Sequence, residues 1–169
     1  KLVATNAFGK DSITKTGYIS VGQMQTTAIT EGFEGVVFPP AKWILTNSSG
    51  ANWSVATVGA YGSSSKSIMF DNYNLDAGGA HDKFSLPKMD LSAVSNARLK
   101  FDVSYAQYSN AFPDSLQVKV STDCGASWTS VYTKTGTALA SAPAYTAALF
   151  VPTSSQWRTD SLSLRPFVG

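Results

Sequence analysis

The chain has 169 residues, enough for one β-sandwich and a fragment of a second unit. Thirteen Lys and Arg against eleven Asp and Glu leave a net charge of +2 with no basic run, which argues against a nucleic-acid or anionic-membrane partner. Glu31 and Glu34 are the only glutamates, Ser and Thr abound, and Gly and Pro punctuate the chain, so long helices are disfavoured and an all-β fold of short strands is expected.

The first expected element is a hairpin: Leu2 to Asn6, a turn over Ala7 to Asp11, then Ser12 to Val21. Its Ala4-Thr5-Asn6-x-x-Gly9 segment and Tyr18-Ile19-x-Val21 ending resemble the closing strands of a polycystic-kidney-disease-type (PKD) domain. Because a lone hairpin buries too little apolar surface, residues 1–21 are expected to belong to a unit continuing upstream. Residues 22–31, rich in Gln and Thr, read as a linker. A second unit, residues 32–169, opens with a strand from Gly32 to Phe38 that Pro39 and Pro40 end, since proline brings no N–H to a ladder.

Further short strands are expected at Asn52 to Thr57, Ser67 to Tyr73, Lys83 to Leu86, Ala97 to Ala106, Asp114 to Ser121, Ser127 to Thr133 and Trp157 to Leu164. In Arg98 to Tyr105 the apolar Leu99, Phe101, Val103 and Tyr105 alternate strictly with polar residues, the signature of a sheet with one packed face and one wet face. Two such sheets packed face to face make a sandwich.

Leu116, Val118 and Val120 alternate in the same way and lead into Ser121-x-Asp123-x-Gly125-x-x-Trp128, the residue order of an Asp box. Each residue type has a local role. Asp123 bonds N–H groups of its own turn, Gly125 supplies positive φ, and Trp128 folds back as an apolar lid. The box is thus a structural device. A single copy does not make a propeller, and the three arginines, Arg98, Arg158 and Arg165, are scattered rather than grouped around a nucleophile.

Catalytic residues are not expected. The lone Cys124 sits in the hairpin turn with neither a disulfide partner nor an activating histidine, and the lone His81 lies in a Gly-rich loop with no nucleophile-elbow motif elsewhere. The chain begins with Lys1 and carries no signal-peptide pattern or membrane-length apolar run, so it reads as a mature or excised piece of a longer product.

Five segments taken in order resemble the choice-of-anchor J or cleaved-adhesin type of jelly-roll domain. They are Gly32-Phe33-Glu34 with Phe38-Pro39-Pro40-x-x-Trp43, Leu86-Pro87-Lys88-Met89-Asp90-Leu91-Ser92, Leu99 to Ala106, Asp114 to Trp128, and Trp157-Arg158-x-Asp160-x-Leu162-x-Leu164. The resemblance implies an antiparallel jelly-roll β-sandwich over residues 32–169, short of the strands that close such domains. It also implies a non-catalytic adhesion or carbohydrate-binding module of a large secreted or bacterial cell-surface protein of the kind found in Bacteroidetes. A structural spacer or accessory domain of a secreted metallopeptidase is the alternative. Expected partners are a glycan or surface protein and the neighbouring domains of the same polypeptide.

Two kinds of site follow. Calcium, which takes six to eight oxygens, is the expected metal, with Glu34 and Asp114 as candidate ligands and the pair Asp71 and Asp76 as a weaker one. Sugars are bound by exposed aromatic rings together with hydrogen-bonding Asn, Asp and Gln. Tyr73, Tyr105, Tyr108 and Phe112 are the candidates, with Tyr61 in similar loop surroundings, whereas Trp43, Trp53, Trp128 and Trp157 read as core or hairpin lids.

Overall fold

The computed structural model describes residues 2–13, 24–47, 53–75, 79 and 81–168. The expected strand portion beyond Ile13, the Tyr18 to Val21 ending, the first two linker residues and Asp76 lie outside them. In chain order the strands are β1 (Leu2–Asn6), β2 (Gly9–Ile13), β3 (Ile44–Thr46), β4 (Ser54–Ala56), β5 (Ser67–Met69), β6 (Lys83–Ser85), β7 (Arg98–Val103), β8 (Ser115–Val120), β9 (Thr129–Thr135) and β10 (Arg158–Ser163). They form five antiparallel ladders among the described residues: β1 with β2, β3 with β6, β4 with β5, β7 with β10, and β8 with β9. No α-helix occurs there, only three single 3-10 turns, and the fold class is all-β.

The N-terminal hairpin turns more tightly than its sequence predicts. Asn6 Oδ1 accepts from Phe8 N at 2.9 Å and Gly9 N at 3.0 Å, so the chain reverses within Ala7 and Phe8 and β2 begins at Gly9.

The expected opening strand from Gly32 to Phe38 is not a strand. Phe33 takes φ 61, which breaks an extended run, and Lys66 Nζ binds the carbonyls of Glu34 at 3.0 Å and Gly35 at 3.2 Å, which a ladder would need. The segment becomes a clamped loop leading into β3, a strand that the sequence does not announce. Below that loop, Phe84 of β6 is the centre of an aromatic cluster: Trp43 lies 4.9 Å away, Phe38 5.8 Å, Phe33 5.9 Å and Trp53 6.4 Å, centroid to centroid. Such pairs add about 0.5–1.5 kcal/mol each beyond area burial.

A second core lies between the two long ladders. Leu99, Phe101 and Val103 of β7 point inward opposite Leu162, Asp160 and Arg158 of β10, while Arg98, Lys100 and Asp102 face water. Leu116, Val118 and Val120 line one face of β8 in the same alternation. Phe101 meets Tyr132 of β9 edge to face at 5.4 Å, and Ala97, Val103, Tyr132 and Leu139 are buried. A bulge between Val118 and Lys119 shifts the β8–β9 register, which places Tyr132 opposite Val118.

Candidate functional site

An aromatic patch gathers from two loops. After β5 the chain turns at Asp71, whose carboxylate accepts from Tyr73 N at 3.1 Å, Asn74 N at 3.0 Å and Asn74 Nδ2 at 2.8 Å, an Asx turn that sends the Tyr73 ring outward. Burial pushes this carboxyl up, and the bonds from Asn74 and Tyr73 overcome it and hold it below the usual range. After β7 a second tight turn closes as Phe112 N donates to Ser109 O at 3.1 Å, which sets Tyr108 and Phe112 side by side. Tyr73 lies 6.3 Å from Tyr108 at an interplanar angle of 55°, and Tyr108 lies 6.0 Å from Phe112 at 75°. The three rings are 45, 44 and 65 % exposed.

Tyr105, the fourth aromatic candidate, is not part of this patch. Its hydroxyl donates to Asp114 Oδ2 at 2.9 Å and the side chain is partly buried, so burial and then that bond push the phenol up to about 12. Tyr61 is elsewhere again, at φ 55, with its hydroxyl 3.0 Å from Thr159 Oγ1.

Residues that no sequence motif singles out hold the patch in place. Gln107 is 5 % exposed and donates through Nε2 to Ser109 O at 2.7 Å and, more weakly, to Asn110 Oδ1 at 3.4 Å, bracing the turn from inside. Gly136, at φ 53, sits against the Gln107 amide and Pro113, where a side chain would have both unfavourable φ and atoms at 3.4 Å. Ser141 Oγ accepts from Tyr105 N at 3.0 Å, Ser141 N donates to Tyr105 O at 2.9 Å, and Tyr145 N donates to Gln107 O at 3.1 Å, so residues 141–145 run along the loop as a strap.

Glu34 and Asp114, the calcium candidates, serve as braces. Glu34 Oε1 accepts from Ser65 N at 2.7 Å and Lys66 N at 3.0 Å, and Oε2 accepts from Ser65 Oγ; these bonds, the Ser65 hydroxyl first, lower its pKa. Its own carbonyl is taken by the Lys66 ammonium. Asp114 is committed to Tyr105 through its side chain and to Gly136 N, at 3.0 Å, through its carbonyl. Among the described residues no three His, Cys, Asp or Glu side chains gather into a metal-binding group. With a lysine ammonium already on the carbonyls at Glu34, the donor set does not fit calcium as it stands.

The Asp-box turn is closed from within. Ser121 Oγ donates to Asp123 Oδ1 at 2.7 Å and accepts from Gly125 N at 2.7 Å, Ser127 N donates to Asp123 Oδ1 at 2.9 Å, and the Ser127 hydroxyl donates to Asp123 Oδ2. The Ser127 hydroxyl, then its N–H, then Ser121 hold this carboxyl far below the usual range. Trp128 departs from the buried lid expected of it: its Nε1 donates to Gly125 O at 3.1 Å and the ring lies against Gly125, yet the residue stays 48 % exposed, since a lid over its own short turn covers only one side of an indole. Cys124 in the same turn is exposed, as is His81.

Asp160 is a further buried carboxylate. It lies on the inward face, accepts from the Tyr132 hydroxyl at 2.6 Å, Lys134 Nζ at 3.1 Å, and Arg158 Nε and Nη2 at 3.0 and 3.2 Å. The same guanidinium donates to the carbonyls of Ala140 and Leu139, at 2.9 and 3.1 Å, so the pair stitches β9, β10 and the segment after β9 together. Burial pushes Asp160 up, but the bonds from Arg158, Tyr132 and Lys134 win and hold it at about 2.

No protein-family model, curated protein or solved structure matches this chain.

Proposed function

We propose that the chain is a non-catalytic carbohydrate-binding or adhesion module of a larger secreted or cell-surface protein, with Tyr73, Tyr108 and Phe112 as its contact surface. The observation that carries this reading is the exposure of three adjacent aromatic rings on loops fixed by a buried amide, an Asx turn and a strap. Large apolar area held open to water at a preorganised position favours a ligand with apolar faces and polar rims, as sugars have. The multiply bonded carboxylates Asp123 and Asp160 are consumed in holding a turn and a core together, which leaves them unsuited to proton transfer.

A jelly-roll arrangement of choice-of-anchor J type for residues 32–169 is the architecture we infer for it. The alternation along β7, β8 and β10 and the Phe101–Tyr132 contact between ladders support that reading. Among the described residues no helix is long and apolar enough to cross a membrane.

Binding to a printed glycan array tests the function. Wild-type protein is expected to bind a defined subset of glycans and Tyr108→Ala to lose that binding with an unchanged circular dichroism spectrum. Wild-type protein that binds no glycan, or a Tyr108→Ala variant that binds as well as wild type, would leave the spacer or accessory role as the better account.

A further inference from the structure

We infer that the Tyr73, Tyr108 and Phe112 patch grips a single neutral pyranose, at the end or a branch of a soluble glycan, and does not bind the flat faces of insoluble polysaccharides. This rests on the carbohydrate reading above and sharpens it to a ligand class.

The ring angles are decisive. A crystalline polysaccharide offers one plane of stacked sugars, and only rings lying in nearly one plane can contact it together. Here Tyr73 is turned 55° from Tyr108 and Phe112 75° from Tyr108, with centroids 6.3 and 6.0 Å apart. Laying Tyr108 on a flat surface therefore lifts the faces of both neighbours off it, and laying either neighbour lifts Tyr108. The same angles form a corner, in which one ring covers a face of a pyranose while the next meets its edge.

The backbone beneath the corner is fixed. Asp71 holds the Tyr73 backbone, Gln107 holds the 109–112 turn from below, and Tyr145 N holds Gln107 O. The Cα positions of the three rings therefore do not shift without breaking bonds to Asp71 or to a buried amide, so little backbone ordering cost remains at binding.

Charge sets the second part of the ligand class. The loops 70–75 and 104–113 and the strap 141–145 contain no Lys or Arg, and the charged groups bonded into them are the carboxylates of Asp71 and Asp114. An acidic sugar, sialic or uronic, would meet like charge from these segments, which offer no Lys or Arg to receive it. Polar contact is available from Asn110, exposed at the tip of the turn, and from the Tyr73 and Tyr108 hydroxyls.

The test uses three probes: immobilised neutral oligosaccharides ending in a hexose or N-acetylhexosamine, the same set capped with sialic acid, and microcrystalline cellulose. Retention on the neutral set is expected, with affinity at least about tenfold weaker on the capped set, which corresponds to a lost or repelled contact of ordinary size. No retention on cellulose is expected. Tyr108→Ala and, independently, Phe112→Ala should each weaken the neutral binding by about tenfold. Equal binding to capped glycans, or depletion of the protein by cellulose, would overturn this inference while leaving a sugar-binding module standing. Silence on all three probes would overturn the carbohydrate reading itself, and this inference with it.

Discussion

Asp160 faces Phe101 across the β7–β10 ladder, an apolar position by register, and is 9 % exposed. A carboxylate survives there because four donor contacts replace the water it lost; removing it leaves the Tyr132 hydroxyl and the Arg158 guanidinium short of partners. Asp160→Ala should therefore cost about 2–4 kcal/mol in urea unfolding, the scale of an orphaned buried donor plus part of a shielded ion pair. The pH dependence follows from the same bonds. Held at about 2 in the folded chain against an ordinary 3.8, this group contributes stability fully above about pH 4 and loses it as pH falls toward 2, and Asp123 acts in the same direction. At the other end, burial and then the bond to Asp160 push Tyr132 up to about 12 from 10.0, so its contribution is complete below about pH 10 and vanishes as pH rises to about 12. Thermal midpoints across pH 2–5 and 9–12 check both limbs; Tyr132→Phe should make the alkaline one shallower and leave the part that Tyr105, also pushed up to about 12, contributes.

At the scale of single elements, turn chemistry decides where strands stop and what they present. Gly136 follows β9 at φ 53, where an added Cβ would meet Gln107 and Pro113 at 3.4 Å, so Gly136→Ala adds strain and crowding together. A loss of about 1–3 kcal/mol is expected in chemical denaturation, with broadened amide signals for residues 105–112 as the loop loses its brace. The Asp-box turn makes a sharper contrast. Asp123 accepts from three donors in a short span, whereas neighbouring Cys124 is exposed, so Asp123→Ala should lower the thermal midpoint clearly and Cys124→Ser should leave it in place. Equal midpoints for the two variants would show that the turn persists without its carboxylate.

On the scale of the molecule, two cores are visible: the Phe84 cluster beneath the clamped 33–38 loop, and the Phe101–Tyr132 contact between the long ladders. Phe84 touches four other rings and is half-buried, so Phe84→Ala should cost about 2–4 kcal/mol, less than a fully enclosed phenylalanine would. The intrinsic fluorescence of Trp43, whose ring lies 4.9 Å from Phe84, should shift to the red in the same variant. An unshifted spectrum and an unchanged midpoint would mean that this cluster is not a working core.

Local alternation carried the long strands from the sequence: Leu99, Phe101 and Val103, or Leu116, Val118 and Val120, must share a face whatever surrounds them, because side chains alternate along any strand. Turn chemistry at Asp123 and Gly125 was legible for the same reason, since donors and acceptor lie within a few residues of one another. The opening loop was not legible, because its shape is set by Lys66, some thirty positions away, and β3 was hidden because its exposed Ile44 and half-buried Leu45 are both apolar, which leaves no alternation to read. The aromatic patch falls between these cases. Composition and loop context nominated Tyr73, Tyr108 and Phe112, but only tertiary packing placed them together, excluded Tyr105 by turning its hydroxyl onto Asp114, and brought Gln107, Gly136 and Ser141 beneath them. The sequence by itself determined an all-β chain and the faces of its strands, since those depend on neighbours one or two residues away; the structure decided which loops meet, since that depends on contacts between residues far apart along the chain.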